Sequence, residues 1–337
     1  MIGSRLSTST VVLVALTAPT LVKAVELQPD SYLDYVPNLA GNAIFGVLYS
    51  VLCLVLFYHT LFLQRKPQKW ALTLPIGTFF AALGYWLRIP MRTSQHNESL
   101  YTVMYLFVVL SPAAFLAFNY IAFGRLTAAL EGERPSNVKR KSQYLFIPPR
   151  WVKIIFVTSD VCTFCVQAAG GGMQTSNDYQ TANTGNNVFL AGVSAQGASY
   201  LLFTALILVA HYRLIFKRPD GHRFNIFNFS EPTVIMLDLL YISSIGILVR
   251  SVYRIIEMAQ GYGGYLYTHE IFTFTLDALP LVIAIGVWAL YWPGLLIRKV
   301  REEAAAPSQD LEQGTNDASN SPTESPSPTA EKSETAN

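Results

Sequence analysis

Residues Ile247 to Asp277 read ILVRSVYRIIEMAQGYGGYLYTHEIFTFTLD. Two apolar segments meet at a loop rich in glycine and tyrosine, and set within and between them are Arg250, Arg254, Glu257, His269, Glu270 and Asp277. An ionisable group inside a hydrophobic span is costly unless it pairs or lines a wet cavity, so each such position is a candidate functional residue by default. Arg250, Arg254 and Glu257 are spaced i, i+4, i+7 and so share one helix face; Glu270 and Asp277, seven apart, share a face of the next helix. Counted inward from the loop, Arg250 and Asp277 lie at matched depth, roughly 10 Å at helical rise, and are expected to pair. Arg254 is expected nearer the surface, close to Glu257 and Glu270.

The remainder of the chain supports a membrane setting. Of 337 residues, 51% are hydrophobic and 14% charged, and the mean hydropathy of +0.32 is too apolar for a soluble globule of this size. Seven stretches, near residues 39–63, 70–90, 101–129, 152–170, 188–216, 233–256 and 271–296, reach or approach the roughly 20 residues that span a bilayer as helix. The fold class is therefore an all-α polytopic membrane protein with seven transmembrane helices over residues 39–298. Residues 1–24, with Arg5, an apolar run and small residues near Ala24, suit a cleaved signal peptide. Residues 25–38 form an acidic outer tail, and residues 299–337, rich in Ser, Thr, Pro and Glu, a disordered cytoplasmic tail whose Ser-Pro pairs are either phosphorylation sites or plain solvated sequence. Cys53, Cys162 and Cys165 all fall in apolar segments, so no disulfide framework is expected, and the CxxC pair reads as small packing residues.

Loop charge sets the orientation. Arg65, Lys66 and Lys69 follow span one; Arg134, Lys139, Arg140, Lys141 and Arg150 follow span three; Lys217, Arg218 and Arg223 follow span five; Arg298, Lys299 and Arg301 follow span seven. The alternate loops hold Arg92 and otherwise no lysine or arginine, which places the N-terminus outside and the C-terminus in the cytoplasm. Asn97-Glu98-Ser99 is then a glycosylation sequon on the outer side, whereas Asn228-Phe229-Ser230 lies inside and stays unmodified.

Other spans add to the charged set. Arg88 approaches the same outer half, and Asp160 and Gln167, again i and i+7, give span four a polar face. Arg88, Arg250 and Arg254 then face Asp160, Glu257, Glu270 and Asp277, one acid in excess. Two readings stand open: ion pairs that lock the helices in register, or a polar chamber open to the outer leaflet that receives the headgroup of an amphipathic ligand. His59 and His211 lie near inner helix ends and His269 near the outer face, so they do not form a zinc set, and no metal or cofactor is expected. Gly261-Tyr262-Gly263-Gly264 lacks a preceding strand and reads as a turn. No GxxxxGK[ST] occurs, so the chain does not itself hydrolyse ATP by that motif to power transport. Spans two and six both end outward with arginine, in Gly84-Tyr85-Trp86-Leu87-Arg88 and in Arg250-Ser251-Val252-Tyr253-Arg254, and spans three and seven carry Pro112 and Pro280 in their outer halves; this would fit a parallel repeat, and shared orientation accounts for it as well.

Together, Tyr35-Val36-Pro37 with Asn42, His59, Gly84-Tyr85 with Arg88, Ser111-Pro112 with Gly124-Arg125, Asp160 with Gln167 and Gly170-Gly171-Gly172, Arg250-Ser251-Val252-Tyr253-Arg254 with Glu257, His269-Glu270, Asp277 with Pro280, and Pro293-Gly294 resemble the fungal lipid-translocating exporter family over about residues 32–298. One position departs: family members commonly carry glutamate three residues before the Gly-Tyr of span two, and here it is Ala81. The resemblance implies a plasma-membrane protein, not an enzyme, that moves sphingoid bases or similar cationic amphiphiles towards the outer leaflet under lipid stress. Its partners would be membrane lipids and a small amphipathic substrate, with no nucleic acid. A seven-span receptor or lipid sensor is the alternative. A membrane hydrolase would need a metal cluster that the scattered histidines do not supply.

Overall fold

The chain enters its first helix at Asn38, whose side-chain carbonyl accepts the Gly41 N–H at 3.0 Å and caps α1 (Leu39–Leu61). The computed structural model describes residues 27, 31, 33, 35–64, 67–130, 149–176, 178–217, 231–261 and 264–303, with main chain alone at 110, 149, 150 and 215–217. The expected signal peptide, the tail beyond 303 and Asn228 lie outside the described residues.

A 3-10 turn, Lys69–Ala71, leads into α2 (Thr73–Met91). Asn97 accepts the Leu100 N–H at 3.0 Å at the start of α3 (Glu98–Leu130), and α4 (Pro149–Gln174) follows. Asp178 opens α5 (Tyr179–Lys217) by accepting from the Thr181 N–H at 3.0 Å and the Thr181 hydroxyl at 2.7 Å. Pro232 begins α6 (Pro232–Gln260), where its missing N–H would have had no partner anyway, and Gly261, at φ 71°, ends it. A single turn, Tyr265–Thr268, precedes α7 (Glu270–Leu290), and residues 293–303 form α8.

Seven of these helices are long and apolar enough to cross a bilayer, and among the described residues there is no strand. At 1.5 Å per residue the 23 residues of α1 reach roughly 35 Å, more than a hydrocarbon core. Each helix packs on the next in sequence, α7 returns to α1, and α3 touches α6 across the ring. Those two form the centre: 65% of the apolar window of α3 and 61% of that of α6 are buried, against 28% for α1 and 22% for α4. The outer faces carry Ile44, Leu54, Leu202, Ile245 and Leu290, as contact with lipid requires.

Several boundaries differ from those expected. The fifth helix starts at Tyr179 rather than 188, because the cap at Asp178 and the close packing of Gly185 on Gly170 and Met173 of α4 override the poor helix propensity of Thr181–Asn187; hydropathy marks the lipid contact, not the helix end. The seventh stops at Leu290, where Tyr291 is extended (φ −119°, ψ 93°) two residues before Pro293. Cys53 is buried against the Pro75 carbonyl as a packing residue, but Cys162 and Cys165 are exposed on the outer face of α4 and do not pack the core.

Candidate functional site

α7 is not a uniform helix. Thr273–Ala278 is a π turn, in which the Leu279 N–H reaches back to the Phe274 carbonyl, and Pro280 just beyond it has no N–H to offer an α-type bond. The extra residue in that turn shifts helix phase by about 100°. Glu270 and Asp277 therefore leave the common face that a seven-residue spacing gives, and each addresses a different neighbour.

Asp277, 1% exposed, turns to α6. Arg250 Nε stands 3.0 Å from its Oδ1, so the expected pair is present. Arg254 is a correction to the expected arrangement. It is buried rather than near the surface, donating from Nε to Asp277 Oδ1 at 3.0 Å and from Nη2 to Oδ2 at 2.6 Å, a fork on one carboxylate. Its Nη1 reaches Glu257 Oε2 at 3.0 Å, and the Tyr253 hydroxyl donates to Glu257 Oε1 at 3.0 Å while lying 3.2 Å from Thr273 Oγ1.

Glu270 turns instead to α1 and α2. It accepts the Asn38 N–H at 2.6 Å and Asn42 Nδ2 at 2.7 Å, and Arg88 Nη1 lies 3.8 Å away. The Arg88 guanidinium also sits 5.5 Å from the centre of the Tyr85 ring. The N-terminal segment closes over this pair: Leu33 packs with Met91, Tyr101 and Met104, the Pro37 carbonyl accepts from Arg92 at 2.7 Å, and Tyr35 lies partly buried next to Arg88. Burial pushes the Tyr35 phenol up to about 12, against the lowering effect of Arg88, so Tyr35 is neutral at ordinary pH.

Three arginines thus meet three carboxylates, and the acid in excess, Asp160, is elsewhere. It lies in α4 against the Tyr120 hydroxyl of α3, and Gln167 donates to Gln196 of α5 at 3.0 Å. The structure brings together Arg88, Arg250, Arg254, Glu257, Glu270 and Asp277 at the end of the bundle where α1 begins, and keeps Asp160 and Gln167 out. The histidines are dispersed: His59 stands edge-on to Trp292 at 5.5 Å, His211 bonds Tyr241 at 2.9 Å, and His269 stacks near Tyr265 at 4.3 Å. Sequence reasoning left Asn38, Asn42, Tyr253 and Thr273 out of the site; Asn42, a buried amide in an apolar run, carried the signal that could have placed it there.

A narrow crevice of about 10 Å³, room for about one water, reaches Glu257 from the same end of the bundle and is lined by Tyr101, Tyr105, Gln174, Asn186 and Tyr267. That is far below the usual range for a small-molecule pocket. A headgroup would have to widen it to reach Glu257, with the rest of an amphiphile left in the lipid.

Seven apolar helices closed around a buried, charge-balanced cluster define a multi-pass membrane protein with an intramembrane polar site. Residues 74–300 match the family described as RTA1 like protein, and the chain belongs to that family. It is 28% identical to Protein RTM1 of Saccharomyces cerevisiae over 62% of this chain and 62% of that one, so it spans less than two thirds of that relative's length. It is 25% identical to Protoporphyrin uptake protein 1 of the same yeast over 74% of this chain and 88% of that one. Sphingoid long-chain base transporter RSB1 of S. cerevisiae is also 25% identical, over 79% of this chain and 74% of its own. No solved structure matches.

Proposed function

We propose that the protein moves, or controls the movement of, a cationic amphipathic lipid of the sphingoid-base kind towards the outer leaflet of the plasma membrane, with its N-terminus outside. The observation that carries this reading is the crevice that ends on Glu257. Asp277 has both oxygens engaged by arginine, whereas Glu257 is the one carboxylate of the cluster that the crevice touches. An incoming ammonium would meet Glu257 there and take over part of its pairing with Arg254, while Arg254 and Arg250 keep Asp277 ionised. The similarity to a sphingoid long-chain base transporter supports the substrate class. A lipid sensor is the second reading, favoured by the closed pairing of Arg250, Arg254 and Asp277 with no chamber large enough for a whole lipid.

The test is efflux of labelled sphingoid base from cells carrying Glu257→Gln or wild type at matched surface levels. Efflux should fall in the variant; unchanged efflux removes Glu257 from headgroup binding. Purified protein in liposomes separates the two readings, because a transporter moves the labelled lipid unaided and a sensor does not.

A further inference from the structure

Asp160 is the ionisable group that the arginine cluster leaves aside. It sits near the middle of α4, 3% exposed, with the Tyr120 hydroxyl beside it but no well-formed hydrogen bond to either carboxyl oxygen. α3 and α5 pack against α4, and the titratable groups they turn towards Asp160 are phenols, Tyr120 from α3 and Tyr200 from α5. From α4 itself, the Thr163 hydroxyl donates to the Asp160 main-chain carbonyl at 3.0 Å and leaves the side chain alone. Among the described residues no arginine, lysine or histidine pairs with it.

An isolated carboxylate in such surroundings is too costly to keep; it takes up a proton or a cation. The walls decide which. The Tyr120 ring centre lies 4.5 Å from that of Phe203 and 5.2 Å from that of Phe156, and Phe156 and Phe203 are 5.5 Å apart. With these rings packed around Tyr120 and Asp160 itself 3% exposed, a proton reaches the carboxyl without rearrangement, whereas an organic ammonium would have to displace packed side chains.

We propose that Asp160 is an intramembrane proton-binding site, distinct from the arginine cluster, with the Tyr120 hydroxyl as its hydrogen-bonding partner. The carboxylate takes one proton from the bulk to become the neutral acid, whose O–H is then placed to donate to Tyr120 Oη. A polar network begins at Tyr200, whose ring lies 6.0 Å from that of Tyr120, and crosses the bundle. Tyr200 Oη lies 3.1 Å from Ser244 Oγ, and Asn119 Nδ2 donates to Tyr200 Oη at 2.8 Å and to Ser243 Oγ at 2.9 Å. Ser243 and Arg250 are seven apart on α6 and so lie on one face, which joins the proton site to the charge cluster through a single helix. Coupling of this proton to lipid movement rests on the transport reading above; the existence of the site does not.

The decisive measurement uses the full-length protein in lipid nanodiscs. Infrared spectroscopy at neutral pH should contain the carbonyl stretch of a buried protonated acid, lost completely in Asp160→Asn, a variant of matched shape that preserves the thermal stability of the protein. Dicyclohexylcarbodiimide, which labels protonated carboxyls in apolar surroundings, should modify Asp160 and be located there by mass spectrometry. A spectrum without that band, or a band that survives Asp160→Asn with no label at Asp160, overturns the proposal. So does protection of Asp160 from the carbodiimide by a long-chain amine, which would make it a cargo contact. In liposomes, Asp160→Asn should lose the dependence of lipid flux on a pH gradient. Wild type that moves no lipid but retains the acid band would refute transport and leave the proton site standing.

Discussion

Asp277 is ion-paired with two guanidiniums at once, and Glu257 shares one of them. Removing one partner from a buried ion pair leaves a charge without compensation, which costs about 3–5 kcal/mol, far more than a deleted intramembrane hydrogen bond at about 0.6 kcal/mol. Asp277→Asn should therefore lower the thermal midpoint of the detergent-solubilised protein sharply, and Tyr253→Phe, which removes only the hydroxyl shared by Glu257 and Thr273, should barely move it. Equal shifts would mean that charge is not what the cluster contributes. A second residue makes its own pH prediction. The hydroxyl and N–H of Thr181 hold the exposed Asp178 carboxyl below the usual aspartate range. A carboxylate favoured by folding contributes its stability above the unfolded pKa and loses it as pH falls through the folded one. The start of α5 should hence weaken only below about pH 4. Asp178→Ser, which still caps the helix, should remove that acid-side component from the difference between thermal unfolding at neutral and acid pH.

At the scale of elements, the π turn in α7 decides the site. Heptad spacing predicts that Glu270 and Asp277 look the same way, and in an unbroken α-helix they would; one extra residue sends Glu270 to Asn42 and Arg88 while Asp277 stays with α6. The crossing behind it is equally tight, since a Cβ at Gly246 would collide with the Pro280 carbonyl, a backbone atom that cannot step aside. Seven spans and the Arg250–Asp277 depth match were legible because both depend on hydropathy and on counting along α6 and α7. The partners of Arg254 and Glu270 were not, because hydropathy is blind to a π turn, and Pro280 alone signals a break without giving its phase. Asp160 was placed in the cluster because depth can be counted and azimuth around the ring cannot. Deleting Thr275, a lipid-facing residue of the π turn, should restore α phase and swing Glu270 about 100° from Asn42 and Arg88 while Asp277 keeps its place. Thermal stability and efflux should both fall. Retention of both would show that the turn is incidental.

For the whole molecule, the side on which the cluster opens matters more than any one contact, because export and uptake differ only in direction. Asn38, Asn97, Gln174, Gly261 and Glu270 stand at one end of the alternating helices, and α1, α3, α5 and α7 finish at the other, where the strongly basic stretches follow them in sequence. If the basic side faces the cytoplasm, the Glu257 crevice opens outward and Asn97 is within reach of glycosylation. The local structure permits the modification: Asn97 is exposed, and its Oδ1 accepts the Leu100 N–H, so a sugar on Nδ2 leaves the start of α3 capped. Asn97→Gln should abolish a glycosidase-sensitive mobility shift without altering surface expression, and Asn228→Gln should change nothing. A shift that depends on Asn228 and not on Asn97 would reverse the orientation of the whole bundle. The crevice would then face the cytoplasm, and the same charge cluster would read as an entry site for cargo on its way out rather than as the place where it leaves.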